Sequence, residues 1–235
     1  MFGTSVVTAV TAQNTLGVVR WSSVDASLVR AQIDALASDL PPMALKTGML
    51  GEPSVVQAVA YGLREHELRP YVMDPVIMAT SGDTLSTPGA LEVMRRELLP
   101  LADIVTPNLD EAEALLGEPV RDVDGMRHAA RSLVERHGAK AALVTGGHLD
   151  VAQSGGMLMD VWFDGTGEPY AFRHRRMEGH TMHGTGCTLS AAITARLALG
   201  DQPRDAVRRA ISYVARAIRA APALGGGARP LNHWA

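Results

Sequence analysis

Short apolar runs alternate with longer amphipathic segments along most of the chain. The runs at residues 44–47, 71–73, 104–106 and 141–145 predict buried strands. The segments between these runs carry apolar residues at helical spacing. Strands that alternate with helices in this way form a mostly parallel sheet with helices on both faces, so the pattern predicts an α/β fold.

Prolines and capping residues mark where the predicted helices begin and end. Pro53 suits the first position of a helix, because the N–H that proline lacks has no partner there. Asn108 suits the N-cap. The first helix is expected to face the sheet with Leu28, Ile33 and Leu36. The predicted helices follow the caps at 22–25, run over 53–66 and 88–98, follow position 108, and run over 126–137, 187–199 and 203–220.

Three segments depart from this alternation. Residues 5–12 are rich in β-branched side chains and predict a buried strand that ends at Gln13. Residues 157–163 and 169–174 predict two strands of a hairpin, joined by a turn that contains two glycines. The glycines at 225–227 predict a flexible tail.

Composition narrows the class of protein. With 235 residues, 46% of them hydrophobic, the chain suits a single α/β domain over residues 1–235. The net charge is −3 and the basic residues are scattered, which argues against nucleic acid or an anionic membrane as the main partner. One cysteine excludes an internal disulfide and a multi-cysteine zinc site. Since no signal peptide or membrane-spanning run is recognisable, we expect a cytoplasmic protein with a small-molecule partner. The oligomeric state is open, with a homodimer as one option.

The segment His-Gly-Thr-Gly-Cys-Thr-Leu-Ser-Ala-Ala, residues 183–192, predicts an anion site. Gly184 and Gly186 bracket Thr185 immediately before an Ala-rich helix, so backbone N–H groups and the positive end of the helix dipole should face a bound anion. Cys187 lies at the helix start, where a thiol pKa is usually lowered, and is a candidate proton acceptor. The alternative is an ordinary glycine turn before a core helix with a small buried cysteine.

Polar and small residues follow several of the predicted strands. Gln13, Asp74, Asn108 and Gly146 all fall at such ends. Ligands of open α/β sheets bind beyond the carboxyl ends of the strands, so these residues are expected to share a site. Glu111 lies three positions after Asn108, and this spacing fits either a capping pair or a functional carboxylate.

The same segments resemble one family of kinases. The 183–192 segment is similar to the anion-hole segment of the hydroxymethylpyrimidine/phosphomethylpyrimidine kinases, which are thiamin-pathway members of the ribokinase superfamily. The resemblance covers nearly the whole chain, because further motifs match that family in order. They are the segments TAVTAQNT (8–15), KTGML (46–50), DPV (74–76), SGD (81–83), TPNLDEAE (106–113) and GGH (146–148).

The resemblance implies an ATP-dependent kinase with a ribokinase-like fold. Its substrates would be 4-amino-5-hydroxymethyl-2-methylpyrimidine and the monophosphate of that alcohol, and its cofactors ATP and Mg²⁺. Phosphoryl transfer needs backbone donors, carboxylates for the metal ion and a proton acceptor. The candidates are Gly184, Thr185 and Gly186 for the anion hole, Cys187 for the base, Asp74 and Glu111 for magnesium, Gln13 and Met49 for the pyrimidine, and Asn108, Thr145 and Gly147 for the nucleotide.

Some of these roles have structural alternatives. Met49 is expected to pack against the substrate ring, although a lone methionine is often core filling. Asn108 is explained equally by its helix cap. His183 and His148 are expected to shape their loops.

Two departures from the family pattern affect the expectations. Family members usually begin with a strand and a Gly/Ser-rich turn that supplies an aspartate to the substrate hydroxyl, and Met1 falls after both. We therefore expect either a shortened domain that lacks a central strand and one substrate wall, or a start assigned too late. Thr145 stands where the family commonly has lysine, which removes one cationic contact to the ATP phosphates.

Two other functions fit the sequence. Pyridoxal kinases have a related fold and phosphorylate a similar ring alcohol. A shortened paralogue that binds pyrimidine or nucleotide without catalysis is the alternative outside enzymes.

Overall fold

A six-stranded sheet forms the centre of the computed structural model, which describes residues 2–79, 82–147, 149, 157–175 and 182–235. The strands are β1 Ala9–Asn14, β2 Gly17–Ser23, β3 Leu45–Thr47, β4 Tyr71–Met73, β5 Ile104–Val105, β6 Ala142–Val144, β7 Met157–Phe163, β8 Tyr170–Arg175, β9 Met182–His183 and β10 Arg229–Pro230. The central sheet has the order β3-β4-β5-β6-β7-β8. Strands β3 to β6 are parallel, and β7 and β8 are antiparallel to their neighbours.

The helices lie on both faces of this sheet. They are α1 Ala26–Asp39, α2 Pro53–Glu65, α3 Pro88–Val93, α4 Leu109–Leu116, α5 Val123–Glu135, α6 Thr185–Ala198 and α7 Pro203–Arg219. A π-helical turn, Met94–Leu98, extends α3. None of the helices in the described ranges combines the length and hydropathy needed to cross a bilayer.

Alternate residues of β4 build the two hydrophobic cores. Tyr71 and Met73 belong to the core formed with α1 to α5, whereas Val72 belongs to the core formed with α6 and α7. Successive side chains of a strand point to opposite faces, so a strand covered on both sides is apolar throughout. The prediction of a mostly parallel sheet with helices on both faces is therefore confirmed.

The first helix turns only part of the predicted face inward, because Ile33 is buried and Leu36 is half-buried as expected, but Leu28 is not. Val29 and Ile33 are buried, whereas Leu28 is 55% exposed. Asp25 caps this helix by accepting a hydrogen bond from the Ser27 N–H at 2.8 Å, and this cap is among those predicted.

The prediction for residues 5–12 is wrong. Strand β1 pairs with β2 as an antiparallel hairpin outside the central sheet, and most of β1 is exposed. The β-branched residues do favour a strand, but its partner is the segment that follows it in the chain. Gln13 therefore lies near the tip of an exposed hairpin and not at the end of a central strand.

The tail prediction at residues 225–227 is also wrong, because the segment packs against the hairpin turn. The Ala228 N–H donates to the Thr15 carbonyl at 2.9 Å, and β10 pairs in parallel with β9. Gly225 has a φ of +74°, and a Cβ there would lie 2.3 Å from Thr15 Oγ1. Glycine is thus needed for a close contact.

Candidate active site

The anion-hole segment forms the N-terminus of α6. Gly184 is the N-cap in the left-handed conformation, with a φ of +81°, and no described side chain caps the helix there. The first amides of a helix have no partner within it, so those of Thr185, Gly186 and Cys187 are available to an anion. A Cβ on Gly184 or Gly186 would meet nothing within 4 Å, so this end of the helix is open.

Beneath this helix end, Asp74 forms a polar cluster with two residues that the sequence analysis missed. Asp74 is buried at the end of β4 and its Oδ2 lies 3.1 Å from Lys46 Nζ. Ser190 Oγ lies 2.9 Å from both of these atoms. The sequence signals were modest: Lys46 begins the KTGML motif, and Ser190 lies one helical turn after Cys187.

Cys187 lies among these charges and is not the low-pKa thiol that its position predicts. Although the residue is exposed, desolvation of the thiol by surrounding atoms raises its pKa to about 12, and the Asp74 carboxylate adds to the effect. The positive charge of Lys46 acts in the opposite direction and lowers this pKa. Burial and the nearby carboxylates therefore outweigh the helix terminus.

Asn108 and Glu111 form a capping box at the start of α4. The Glu111 N–H donates to Asn108 Oδ1 and the Asn108 N–H donates to Glu111 Oε2, each at 2.9 Å. Burial raises the pKa of Glu111 to about 8, and the charge of Asp74 contributes to the rise. The capping pair that the sequence analysis gave as the structural alternative is thus present. The same cap holds Glu111, a second buried acid, near Asp74.

Of the two predicted pyrimidine contacts, Gln13 is tied to the residue before the anion hole and Met49 lies in the segment after β3. Gln13 Nε2 is 2.9 Å from His183 Nε2, immediately before Gly184. Met49 is half-buried and does not belong to the hydrophobic core, and its carbonyl accepts a hydrogen bond from Thr8 Oγ1 at 2.7 Å. Their contacts with a substrate stay predictions.

The predicted nucleotide side is assembled from neighbouring strand ends. Asn108 bridges to Thr145, whose N–H donates to the Pro107 carbonyl at 2.9 Å. Gly147 is exposed next to the buried Gly146. The predicted positions Ser81 and His148 lie outside the described residues.

A buried acid that the sequence analysis missed supports this turn. Asp160 on β7 accepts the Gly146 N–H at 3.0 Å through Oδ1, and its Oδ2 lies 2.9 Å from His174 Nε2. A Cβ on Gly146 would lie 2.1 Å from the Met159 carbonyl, so this position requires glycine. Asp160 is the one acid in the otherwise apolar strand β7, and the strand sequence does not indicate that it faces this turn.

The acids near the anion hole suit a magnesium ion whose remaining ligands are water and substrate phosphate. Within the described ranges, no three His, Cys, Asp or Glu residues form a cluster that could hold a metal ion. Asp74 and Glu111 supply two buried acids whose charges repel each other. Mg²⁺ is commonly bound by one or two carboxylates, waters and substrate phosphates, so the residues fit that mode.

Comparison with known proteins decides the family. A family model described as phosphomethylpyrimidine kinase matches residues 1–232. The chain belongs to the phosphomethylpyrimidine kinase family. A hydroxymethylpyrimidine/phosphomethylpyrimidine kinase of Rhizobium meliloti is 44% identical over 236 residues, with 100% of this chain and 86% of the relative covered. The thiamine biosynthesis bifunctional protein ThiED of Geobacter sulfurreducens is 44% identical over 232 residues, which is 99% of this chain but 46% of that protein.

Solved structures of related kinases share the fold of this protein. The phosphomethylpyrimidine kinase of Clostridium difficile 630 has a TM-score of 0.79 and 35% identity, with 92% of this chain and 87% of the other covered. The pyridoxal kinase of Staphylococcus aureus in complex with pyridoxal has a TM-score of 0.86 and 29% identity, with 99% and 82% covered. The same enzyme is known in complex with AMP-PCP and pyridoxal.

These likenesses confirm three of the predictions. The family, the ribokinase-like α/β fold and the activity class, a phosphotransferase, are as expected. As a kinase of this family the protein uses ATP. The roles of individual side chains remain predictions.

Proposed function

We propose that the protein transfers the γ-phosphoryl group of ATP to 4-amino-5-hydroxymethyl-2-methylpyrimidine and to the monophosphate of that alcohol, in thiamin biosynthesis. The observation that carries the proposal is the open N-terminus of α6, with Cys187 at its first turn and Asp74 beneath it. The relatives named for this activity, at 37–44% identity, support the choice of substrate. We also propose that residues 1–235 form one kinase domain that acts in the cytoplasm, where ATP is available.

The anion hole stabilises the charge that develops during transfer. The substrate hydroxyl oxygen bonds to the γ-phosphorus while the bond from that phosphorus to the ADP oxygen breaks. Negative charge is spread over the equatorial oxygens of the phosphoryl group in this transition state. The amides of residues 184–187 are already oriented, so they stabilise that charge without reorganising.

Cys187 takes the hydroxyl proton in this mechanism. The thiol must first release its own proton to solvent, and the raised pKa of Cys187 opposes that release in the free protein. Lys46 favours the thiolate, and added positive charge in the site favours it further. Proton transfer to a positioned side chain contributes about 10²–10⁴-fold to a rate.

Asp74 and Glu111 would hold Mg²⁺ mostly through its waters. A metal ion held by these two acids would supply positive charge that offsets the charge of the phosphate oxygens. Asn108, Thr145 and Gly147 would contact the nucleotide. Gln13 would hydrogen-bond the aminopyrimidine edge and Met49 would pack against the ring.

Pyridoxal phosphorylation is the second candidate, because the pyridoxal kinase of Staphylococcus aureus shares this fold at a TM-score of 0.86. Pyridoxal also carries a hydroxymethyl group on a flat nitrogen heterocycle. The site chemistry described above suits both alcohols, so the ring contacts decide between them.

The test measures ADP release by the purified chain with each alcohol in turn. We expect turnover with the pyrimidine alcohol and its monophosphate, and a lower kcat/KM with pyridoxal. A higher kcat/KM with pyridoxal would reverse the assignment. Binding of ATP and pyrimidine without turnover would favour the non-catalytic alternative, and the elution volume of the same sample gives its oligomeric state.

A further inference from the structure

Lys46 favours the Cys187 thiolate in the mechanism above, and the contacts of its ammonium group indicate a second role. Its Nζ lies 3.1 Å from Asp74 Oδ2 and 2.9 Å from Ser190 Oγ. The side chain of Lys46 is 21% exposed and that of Asp74 is 6% exposed. An ion pair in such surroundings is screened less by solvent and salt than one on the surface.

Three elements of the fold meet at this ammonium group. Lys46 lies on β3, Asp74 follows β4, and Ser190 lies in α6. Lys46 and Asp74 are 28 residues apart, and Lys46 and Ser190 are 144 residues apart. These contacts therefore join residues that are far apart in sequence and meet only in the folded protein.

The choice of lysine at this position is unusual for this chain. Its 22 basic residues comprise 20 arginines and two lysines, Lys46 and Lys140. Lysine carries a compact charge with three donors, whereas arginine presents a broad planar fork. Nζ of Lys46 also lies near Gly48, 3.5 Å from the place that a Cβ would take there.

We propose that Lys46 is a positioning residue for phosphoryl transfer, and the inference rests on the proposed function. Its ammonium holds the Asp74 carboxylate against Ser190 of α6 and so fixes the metal-binding acid relative to the amides of the anion hole. Transfer requires both groups to meet the same phosphate. A small displacement of one from the other lowers the rate without changing the pyrimidine contacts.

The same contact limits repulsion among the acids of the site. Without Lys46, Asp74 would face the buried Glu111 with no cation beside it among the described residues. A buried acid that loses its ion-pair partner is free to turn away from the position that the partner held. Such a displacement weakens its hold on a magnesium ion.

The test compares Lys46→Met with the matched control Lys140→Met. Lys140 also forms an ion pair, with Asp103 at 2.6 Å, but it is 65% exposed and lies before β6, at the opposite ends of the strands from the site. For Lys46→Met we expect kcat to fall about 10–100-fold while KM for the pyrimidine changes little. The half-saturating Mg²⁺ concentration should rise about 10-fold. Lys140→Met should match the wild type.

A double-mutant cycle tests the link to α6. Ser190→Ala leaves both charges in place and should lower kcat about 3–10-fold through the lost hydrogen bond. The effect of Lys46→Met should be smaller in the Ser190→Ala background, because the two residues act through one contact. Independent, multiplying effects would overturn the proposal. If Lys46→Met does not fold, Ser190→Ala alone decides, and an unchanged kcat overturns it.

A binding measurement separates this inference from the proposed function. Mg²⁺ with ADP should raise the Tm of the wild type, and the rise should be smaller for Lys46→Met. A wild type without turnover on any of the three alcohols would overturn the proposed function, and the Tm comparison would still judge Lys46. Equal Tm shifts in the two proteins, or a kcat of Lys46→Met within twofold of the wild type, would show that Lys46 has no positioning role.

Discussion

Opposing effects act on the pKa of the Cys187 thiol. The N-terminus of α6 favours a thiolate, and so does Lys46. Desolvation of the thiol by surrounding atoms and the charge of the Asp74 carboxylate favour the neutral form and outweigh these effects, raising the pKa of Cys187 to about 12. The Cys187 sulfur can therefore accept a proton only when the binding of substrates changes the charges around it.

Replacement of Cys187 should affect catalysis far more than folding. In Cys187→Ala a small side chain is shortened at an exposed helix start, so the free energy of unfolding should change by less than about 1 kcal/mol. The kcat should fall about 10²–10⁴-fold, since this is the usual contribution of a positioned proton acceptor. Steady-state kinetics and urea unfolding measure the two effects, and near-normal turnover would remove Cys187 from the mechanism.

Asp74→Asn should alter the magnesium dependence more than the pyrimidine affinity. A hard cation prefers carboxylate oxygen, and the amide also loses the charge that pairs with Lys46. The half-saturating Mg²⁺ concentration should rise about 10–100-fold at fixed ATP. A magnesium titration gives the result, and an unchanged curve would reduce Asp74 to a structural role.

Glu111 should make stability depend on pH. Its pKa is raised from 4.5 to about 8 by burial, so the folded state holds this proton more tightly than the unfolded state. The folded state therefore loses stability as pH rises from about 5 to about 8, by an amount on the order of a few kcal/mol. Glu111→Gln resembles the protonated acid, keeps the cap acceptor and should lack this loss.

Unfolding free energies at pH 5 and pH 8 test this expectation. Glu111→Gln should be close to the wild type at pH 5 and more stable at pH 8. Glu92→Gln serves as the control, because Glu92 is 54% exposed on the surface of α3. A difference between Glu111→Gln and the wild type that does not grow with pH would contradict the buried-acid interpretation.

At the scale of elements, the N-terminal hairpin and the C-terminal segment support each other. The hairpin turn at Thr15 accepts the Ala228 N–H, and β10 beside it pairs with β9 directly before the anion hole. Gln13 of the same hairpin contacts His183 of β9. Two elements outside the central sheet thus hold one another and the strand that leads into α6.

Gly225→Ala should weaken this contact. Alanine is unfavourable at the positive φ of this position, and its Cβ would lie 2.3 Å from Thr15 Oγ1. We expect the free energy of unfolding to fall by about 1–3 kcal/mol. Gly167→Ala is a matched control, since Gly167 also has a positive φ, +63°, but a Cβ there meets nothing within 4 Å. Equal losses of unfolding free energy in the two variants would show that the close approach to Thr15 adds no cost beyond that of the positive φ.

The fold of the whole molecule was largely predictable from local sequence. Strands β4 and β6 are apolar throughout because both faces are covered, and α2 begins at a proline, so both signals are local. The acids and glycines at the strand ends followed from the geometry of parallel sheets. The hairpin and the tail were not predictable in the same way, because their partners are chosen by tertiary contact.

Site residues that act through side-chain contacts escaped the same reasoning. Lys46 and Ser190 are 144 residues apart, and neither stands at a position that a strand end or a helix cap marks. Asp160 is one inward-facing residue of a hairpin strand. The anion hole was visible because backbone geometry creates it, whereas these contacts depend on which rotamers meet in the folded chain.

The position of the one cysteine at the open end of α6 gives the protein a built-in reporter. A thiol-reactive fluorophore or spin label can attach to this chain at a single place, beside the anion hole. No cysteine has to be removed or introduced first, so the unaltered polypeptide can be used. The rate of labelling then reports directly on the charges around that one sulfur as ligands are added.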